Sequence, residues 1–137
     1  MLRCTDAASA DMKNAHSILL KIQKLKKINL VYKPEAYSFV LNALDFTMKN
    51  LEAPRHISGA ELLDGIRRYA LYEFGPMARF VFEYWGVFQT SDFGEIVFDL
   101  IDAELLKRQD DDSIEEFRNV YDFKKVFDRN YEFSDSV

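Results

Sequence analysis

The chain of 137 residues carries 48% apolar and 30% charged side chains, the profile of one soluble domain long enough to bury a hydrophobic core. Its single cysteine, Cys4, excludes an internal disulfide, and no window reaches the roughly 18 apolar residues of a membrane helix. The net charge of −5 argues against broad, sequence-independent nucleic-acid binding, although residues 1–50 hold eight Lys/Arg against four Asp/Glu and residues 51–137 ten against nineteen, balances of +4 and −9.

The N-terminus, MLRCTDAASADMK, lacks the apolar run of a secretion signal, so a cytoplasmic protein is expected. Residues 1–11 are small and polar with no period and are expected to form a disordered tail ahead of a single helical domain over 12–137. From Met12 to Lys27, Ala15, Ile18, Leu19, Ile22 and Leu25 recur at helical spacing. That spacing predicts an amphipathic helix with Lys13, Lys21, Lys24 and Lys27 around its stripe. The Lys33-Pro34 step breaks the pattern and opens another helix, because proline suits the first helical position. There Tyr37, Val40, Leu41, Leu44, Met48 and Leu51 make one apolar face, and Ala36, Phe39, Ala43 and Phe46 a second beside it, so this helix is central.

Ala53-Pro54 closes it, and Ser58-Gly-Ala-Glu61 has the spacing of a reciprocal capping box, opening a helix that buries Leu62, Ile66, Tyr69 and Ala70. Gly75-Pro76 ends that helix and starts a short one in which Met77, Phe80, Val81 and Tyr84 keep helical spacing as far as Gly86. Thr90, Ser91 and Asp92 offer caps for the next helix, with Glu95 completing a second box after Asp92, and Phe93, Ile96, Val97, Leu100 and Ile101 form its core face. The run 109–113 reads as a polar turn before a brief helix over SIEEFRN, and the aromatic C-terminal stretch as a short helix around Phe123 to Phe127. The fold class is mainly α: one compact multi-helix domain, with a small C-terminal β-hairpin as a variant. In the winged-helix-like alternative, 90–106 is the recognition helix, and Leu105 to Arg108 with Val120 to Phe123 are the wing strands.

Tyr32-x-Pro34-Glu-Ala-Tyr37-x-Phe39-Val40, His56-x-Ser-Gly-x-Glu61-Leu62, Phe74-Gly75-Pro-x-Ala78, Trp85-Gly86 and Asp92-Phe93-Gly94-Glu95-Ile-Val-Phe together resemble a small uncharacterised bacterial protein family, a domain of unknown function. The likeness runs over most of residues 15 to 128. It implies a bacterial, cytoplasmic protein and brings no catalytic residue or cofactor with it.

Side chains with possible chemistry are few. Imidazole is the side chain suited to acid–base work near neutral pH, and Glu61 lies five residues after His56, which makes the pair the candidate general base and its partner; the competing reading is a histidine packed beside a capped helix. Asp110, Asp111, Asp112, Glu115 and Glu116 lack the ligand alternation of a calcium loop and read as a solvated turn, so no metal is expected. Arg67 and Arg68 are candidates for holding an anion, against a solvated face paired with Asp64 or Glu73. Lys21, Lys24, Lys26, Lys27 and Lys33 offer a basic face, but the would-be recognition helix carries Asp92, Glu95, Asp99, Asp102 and Glu104, which repel phosphates. The glycines, without nucleotide-loop spacing, read as helix punctuation.

The aromatic surplus is the clearest functional signal: Tyr72, Phe82, Phe88 and Phe98 fall off the main stripes, and Trp85 sits at a helix end. Phe82, Trp85 and Phe88 are therefore the candidate partner-binding residues. These observations lead to a non-enzymatic interaction or regulatory protein acting through protein–protein contacts, with a homodimer as one mode and no cofactor, membrane or nucleic acid. The alternatives are a small enzyme using His56 as general base and a winged-helix-like nucleic-acid-binding protein.

Overall fold

The computed structural model describes residues 3–4, 32–51, 57–103, 105–107 and 114–129. The helix expected over 12–27, its lysines, His56 and the acidic turn at 109–113 lie outside the described residues. Among the described residues four α-helices carry the fold: α1 (Pro34–Lys49), α2 (Gly59–Phe74), α3 (Ala78–Tyr84) and α4 (Thr90–Asp102). Short 3₁₀ turns cover Gly75–Met77 and Ile114–Phe117, and a single π-helical segment covers Lys124–Arg129.

Helix α1 starts at Pro34 and buries residues on both expected faces: Ala36, Phe39 and Ala43 on one, Tyr37, Val40, Leu41 and Leu44 on the other. It packs on α2 at a close crossing. A Cβ on Gly65 would lie 1.7 Å from Thr47 Oγ1, so only glycine lets the two backbones approach there. Gly59 and Gly94 flank Phe117 in the same way: a Cβ on Gly94 would stand 2.7 Å from the Phe117 Cβ. Gly59, Gly65 and Gly94 are therefore packing sites, whereas Gly75 (φ 54°) and Gly86 (φ 89°) are the punctuation that the sequence suggests.

The α2 start is the expected box: Glu61 N–H donates to Ser58 Oγ at 3.1 Å and Ser58 N–H to Glu61 Oε1 at 2.9 Å. At α4 the box is displaced. The helix begins at Thr90, and Asp92 reaches back so that its Oδ2 accepts from Phe88 N–H (2.8 Å) and Gln89 N–H (3.2 Å). Thr90 is buried, its hydroxyl accepting from Val120 N–H at 3.1 Å and so fastening the C-terminal turn to α4.

Two expectations about strands change. Arg3–Cys4 pairs antiparallel with Leu106–Lys107, Arg3 opposite Lys107, so the tail expected over 1–11 contains a paired backbone at residues 3 and 4. The strand at 106–107 thus takes the N-terminus as its partner instead of Val120 to Phe123. Those residues form a turn leading into the π-helical segment, whose first amides are capped by Asp122 Oδ1 (Lys124 N–H, 2.9 Å). Among the described residues, 105–107 and 120–123 do not pair with each other as the wing strands of the alternative.

Candidate functional site

The core is an aromatic cluster with Phe82 at its centre. Its ring centroid lies 5.1 Å from that of Phe93, 5.2 Å from Phe127, 5.3 Å from Phe39, 5.7 Å from Phe123 and 5.9 Å from Trp85. Offset and edge-on pairs of this kind add to the burial of each ring. Phe82 is fully buried and Trp85 nearly so, which removes both from the partner surface expected of them. Phe98 is half-buried against the same core, while Tyr72 and Phe88 are exposed.

The orientation of α3 follows from this hub. Ala78, Phe82 and Trp85 stand at spacings of four and three and face inward. Met77, Phe80 and Tyr84, on the other side of the helix, are left in solvent at 55%, 53% and 72% exposure, with Phe88 at 63% just past the helix. The helix ends in a Schellman arrangement that fixes this rotation: Gly86 N–H donates to Glu83 O (3.0 Å) and Val87 N–H to Phe82 O (2.8 Å) around the positive φ of Gly86. Lys33 ties the chain entering α1 to the same place, its N–H donating to Trp85 O at 3.1 Å and its Nζ lying 5.4 Å from the Tyr84 ring centroid.

Charges border the apolar stripe on one flank. Arg79 lies 5.1 Å over the Phe80 ring and pairs with Glu83 through an Nη1 to Oε2 contact of 2.9 Å. Beyond them a cleft of about 420 Å³ is lined by Arg79, Glu83, Phe88, Gln89, Asn119, Tyr121, Asp122, Phe123 and Lys124. Tyr121 closes its inner side, donating its hydroxyl to Leu63 O at 2.8 Å, and burial raises its phenol well above the ordinary tyrosine value.

Tyrosines also meet the acidic helix. Tyr37, buried, donates to Asp99 Oδ2 at 2.8 Å, and Tyr32 donates to Asp92 Oδ1 at 3.0 Å and touches Glu95 Oε2. Burial, then the hydrogen bonds to these carboxylates, holds both phenols far above their usual range. Asp99 is thus an interior carboxylate, and among the described residues of this acidic set Glu95 and Asp102 are the exposed ones.

Comparison with protein-family models, with curated proteins and with solved structures returned no match.

The remaining candidates are placed as follows. Glu61 serves the α2 cap and lines a cleft of about 350 Å³ between α1 and α2 together with Arg68; its proposed partner His56 lies outside the described residues. Arg67 and Arg68 both bind Asp64, through Nη2 to Oδ1 at 2.9 Å and Nε to Oδ2 at 3.0 Å, so one carboxylate already holds the two guanidinium groups proposed for an anion. Glu115 pairs with Arg118 at 3.2 Å. Among the described residues no cluster of His, Cys, Asp and Glu is arranged to hold a metal ion, and no helix is long and apolar enough to cross a membrane. The surface that stands out is the α3 stripe, whose spacing is plain in the sequence although its outward direction is not.

Proposed function

We propose that the chain is a non-enzymatic interaction protein that works through protein–protein contacts, made by the outer face of α3, in the bacterial cytoplasm. The observation that carries this reading is the exposure of Met77, Phe80 and Tyr84 on one side of one helix. Large apolar side chains scattered singly are ordinary on a protein surface; aligned on one face they form the kind of patch that partners cover. Aromatic and methionine side chains are also those enriched at the centres of interfaces. Phe88 extends the patch, whereas the other expected contact residues, Phe82 and Trp85, support it from beneath. The reading invokes no cofactor, metal or nucleic acid, and the acidic balance of residues 51–137 is in keeping with the last of these.

A photocrosslinking side chain placed at position 80 in cells tests it, with the exposed Lys125 as control position. A discrete protein adduct from position 80 and none from position 125 is the expected outcome. Equal labelling at the two positions, or no adduct at position 80, contradicts the reading.

A further inference from the structure

The charges beside the α3 stripe point to a specific occupant. We infer that the face is covered by α3 of a second copy of this chain, packed antiparallel about a two-fold axis that passes near Val81; this rests on the interaction reading above and names its partner. Arg79 and Glu83 lie on the same flank of the stripe, two residues to either side of Val81. In an antiparallel pair related by a two-fold axis across the helices, equivalent flanks face each other with their order reversed. Arg79 of one copy then stands opposite Glu83 of the second copy, and Glu83 opposite the second copy's Arg79, so the contact is self-complementary. A parallel pair places this flank against the opposite edge of the stripe, and the complementarity is lost.

The apolar residues fit the same operation. Phe80 and Tyr84 of one copy meet Phe80 and Tyr84 of the second, with Met77 at the outer ends. A fully covered aromatic side chain removes about 150–250 Å² from water, so the exposed parts of Met77, Phe80, Tyr84 and Phe88 offer roughly 400–500 Å² of apolar surface per copy. A standard interface takes about 800 Å² per partner, and homodimer interfaces are roughly 65% apolar. The stripe therefore supplies most of the apolar centre, with Lys33, Arg79 and Glu83 as charged rim. That size places the dimer at the weaker, concentration-dependent end of the range.

Sedimentation velocity on the full chain across the micromolar range tests the pairing. Wild type is expected to move from monomer to dimer as concentration rises. Arg79→Glu or Glu83→Arg alone sets like charges across the axis twice and is expected to raise the dissociation constant about tenfold or more, while the double reversal Arg79→Glu/Glu83→Arg restores it. Because the intrahelical pair is partly exposed and neither side chain is in the apolar core, each single reversal should keep the wild-type circular dichroism spectrum. Phe80→Ser should abolish the dimer with helicity retained. A wild type that stays monomeric, or a dimer indifferent to both single reversals, overturns the second-copy assignment. The crosslink at position 80 separates the two readings: a monomer that still gives an adduct with a different protein leaves the interaction surface standing, and a monomer that gives none removes both.

Discussion

Helices α3 and α4 stand a few residues apart in the chain and respond differently to the same reading. In α4 the apolar residues fall on one stripe and the rest are mostly polar, and Phe93, Ile96, Val97 and Leu100 are buried as their spacing implies. In α3, ARFVFEY, apolar residues occupy two opposed sides with Arg79 and Glu83 on one flank between them, and the stripe of Phe80 and Tyr84, continued by Met77 of the preceding turn, is the one that faces water. Periodicity identifies a buried face only where a polar face competes with it. Where two apolar stripes share one short helix, the neighbours decide, and here Phe39, Phe93, Phe123 and Phe127 all converge on Phe82.

The contrast breaks first at Phe82. Phe82→Ala removes the ring at the centre of the cluster and should cost about 3–5 kcal/mol in chemical denaturation, whereas Phe80→Ala, two residues away and in solvent, should stay within about 0.5 kcal/mol for the dilute monomer. Equal losses at the two positions would mean that α3 is rotated from the orientation described. On α4, Gly94→Ala forces a Cβ against Phe117 and should cost about 1–3 kcal/mol, more than the ~1 kcal/mol that alanine's helix propensity returns. A stabilised variant would show that the 114–117 turn does not press on the helix there.

A smaller effect concerns the tyrosines on the acidic side of α4. Tyr32 and Tyr37 hold their protons more tightly folded than unfolded, so their stabilising contribution is complete below the ordinary tyrosine value of about 10 and is lost as pH rises above it. The denaturant midpoint should fall between about pH 9 and pH 11, and Tyr37→Phe should make that fall shallower. An unchanged slope in Tyr37→Phe would argue that this phenol is not buried against Asp99. The smallest expected effect is at Arg67 and Arg68: each is an exposed or partly exposed partner of Asp64, and alanine at either position should shift stability by no more than about 0.5 kcal/mol.

Much of the fold is legible from local chemistry. Pro34, the Ser58 and Glu61 box and the Gly75-Pro76 step each set a helix boundary through bonds made within a few residues, and the structure places the boundaries there. The features that escape are made by distant partners. Asp99 looks like surface charge until Tyr37, from another helix, is set beside it, and Gly65 and Gly94 look like interruptions until Thr47 and Phe117 occupy the space they leave. The strand at 106–107 falls within a segment that reads as strand only in the winged-helix alternative, and its pairing with residues 3–4 spans almost the whole chain, a separation over which sequence patterning carries no register. The exposed α3 patch escapes in the same manner: the aromatic surplus is evident from composition, yet its division into hub and patch depends on which side of α3 the rest of the core occupies.

Hydroxyl-radical footprinting tests that division most directly, because Phe80 and Phe82 are the same residue type two positions apart and their labelling rates differ only through access to solvent. In protein dilute enough to be monomeric, Phe80 is expected to label readily, with Tyr84, while Phe82 stays protected until the chain unfolds. Protection of Phe80 together with labelling of Phe82 would contradict the account of α3 and of the surface it carries.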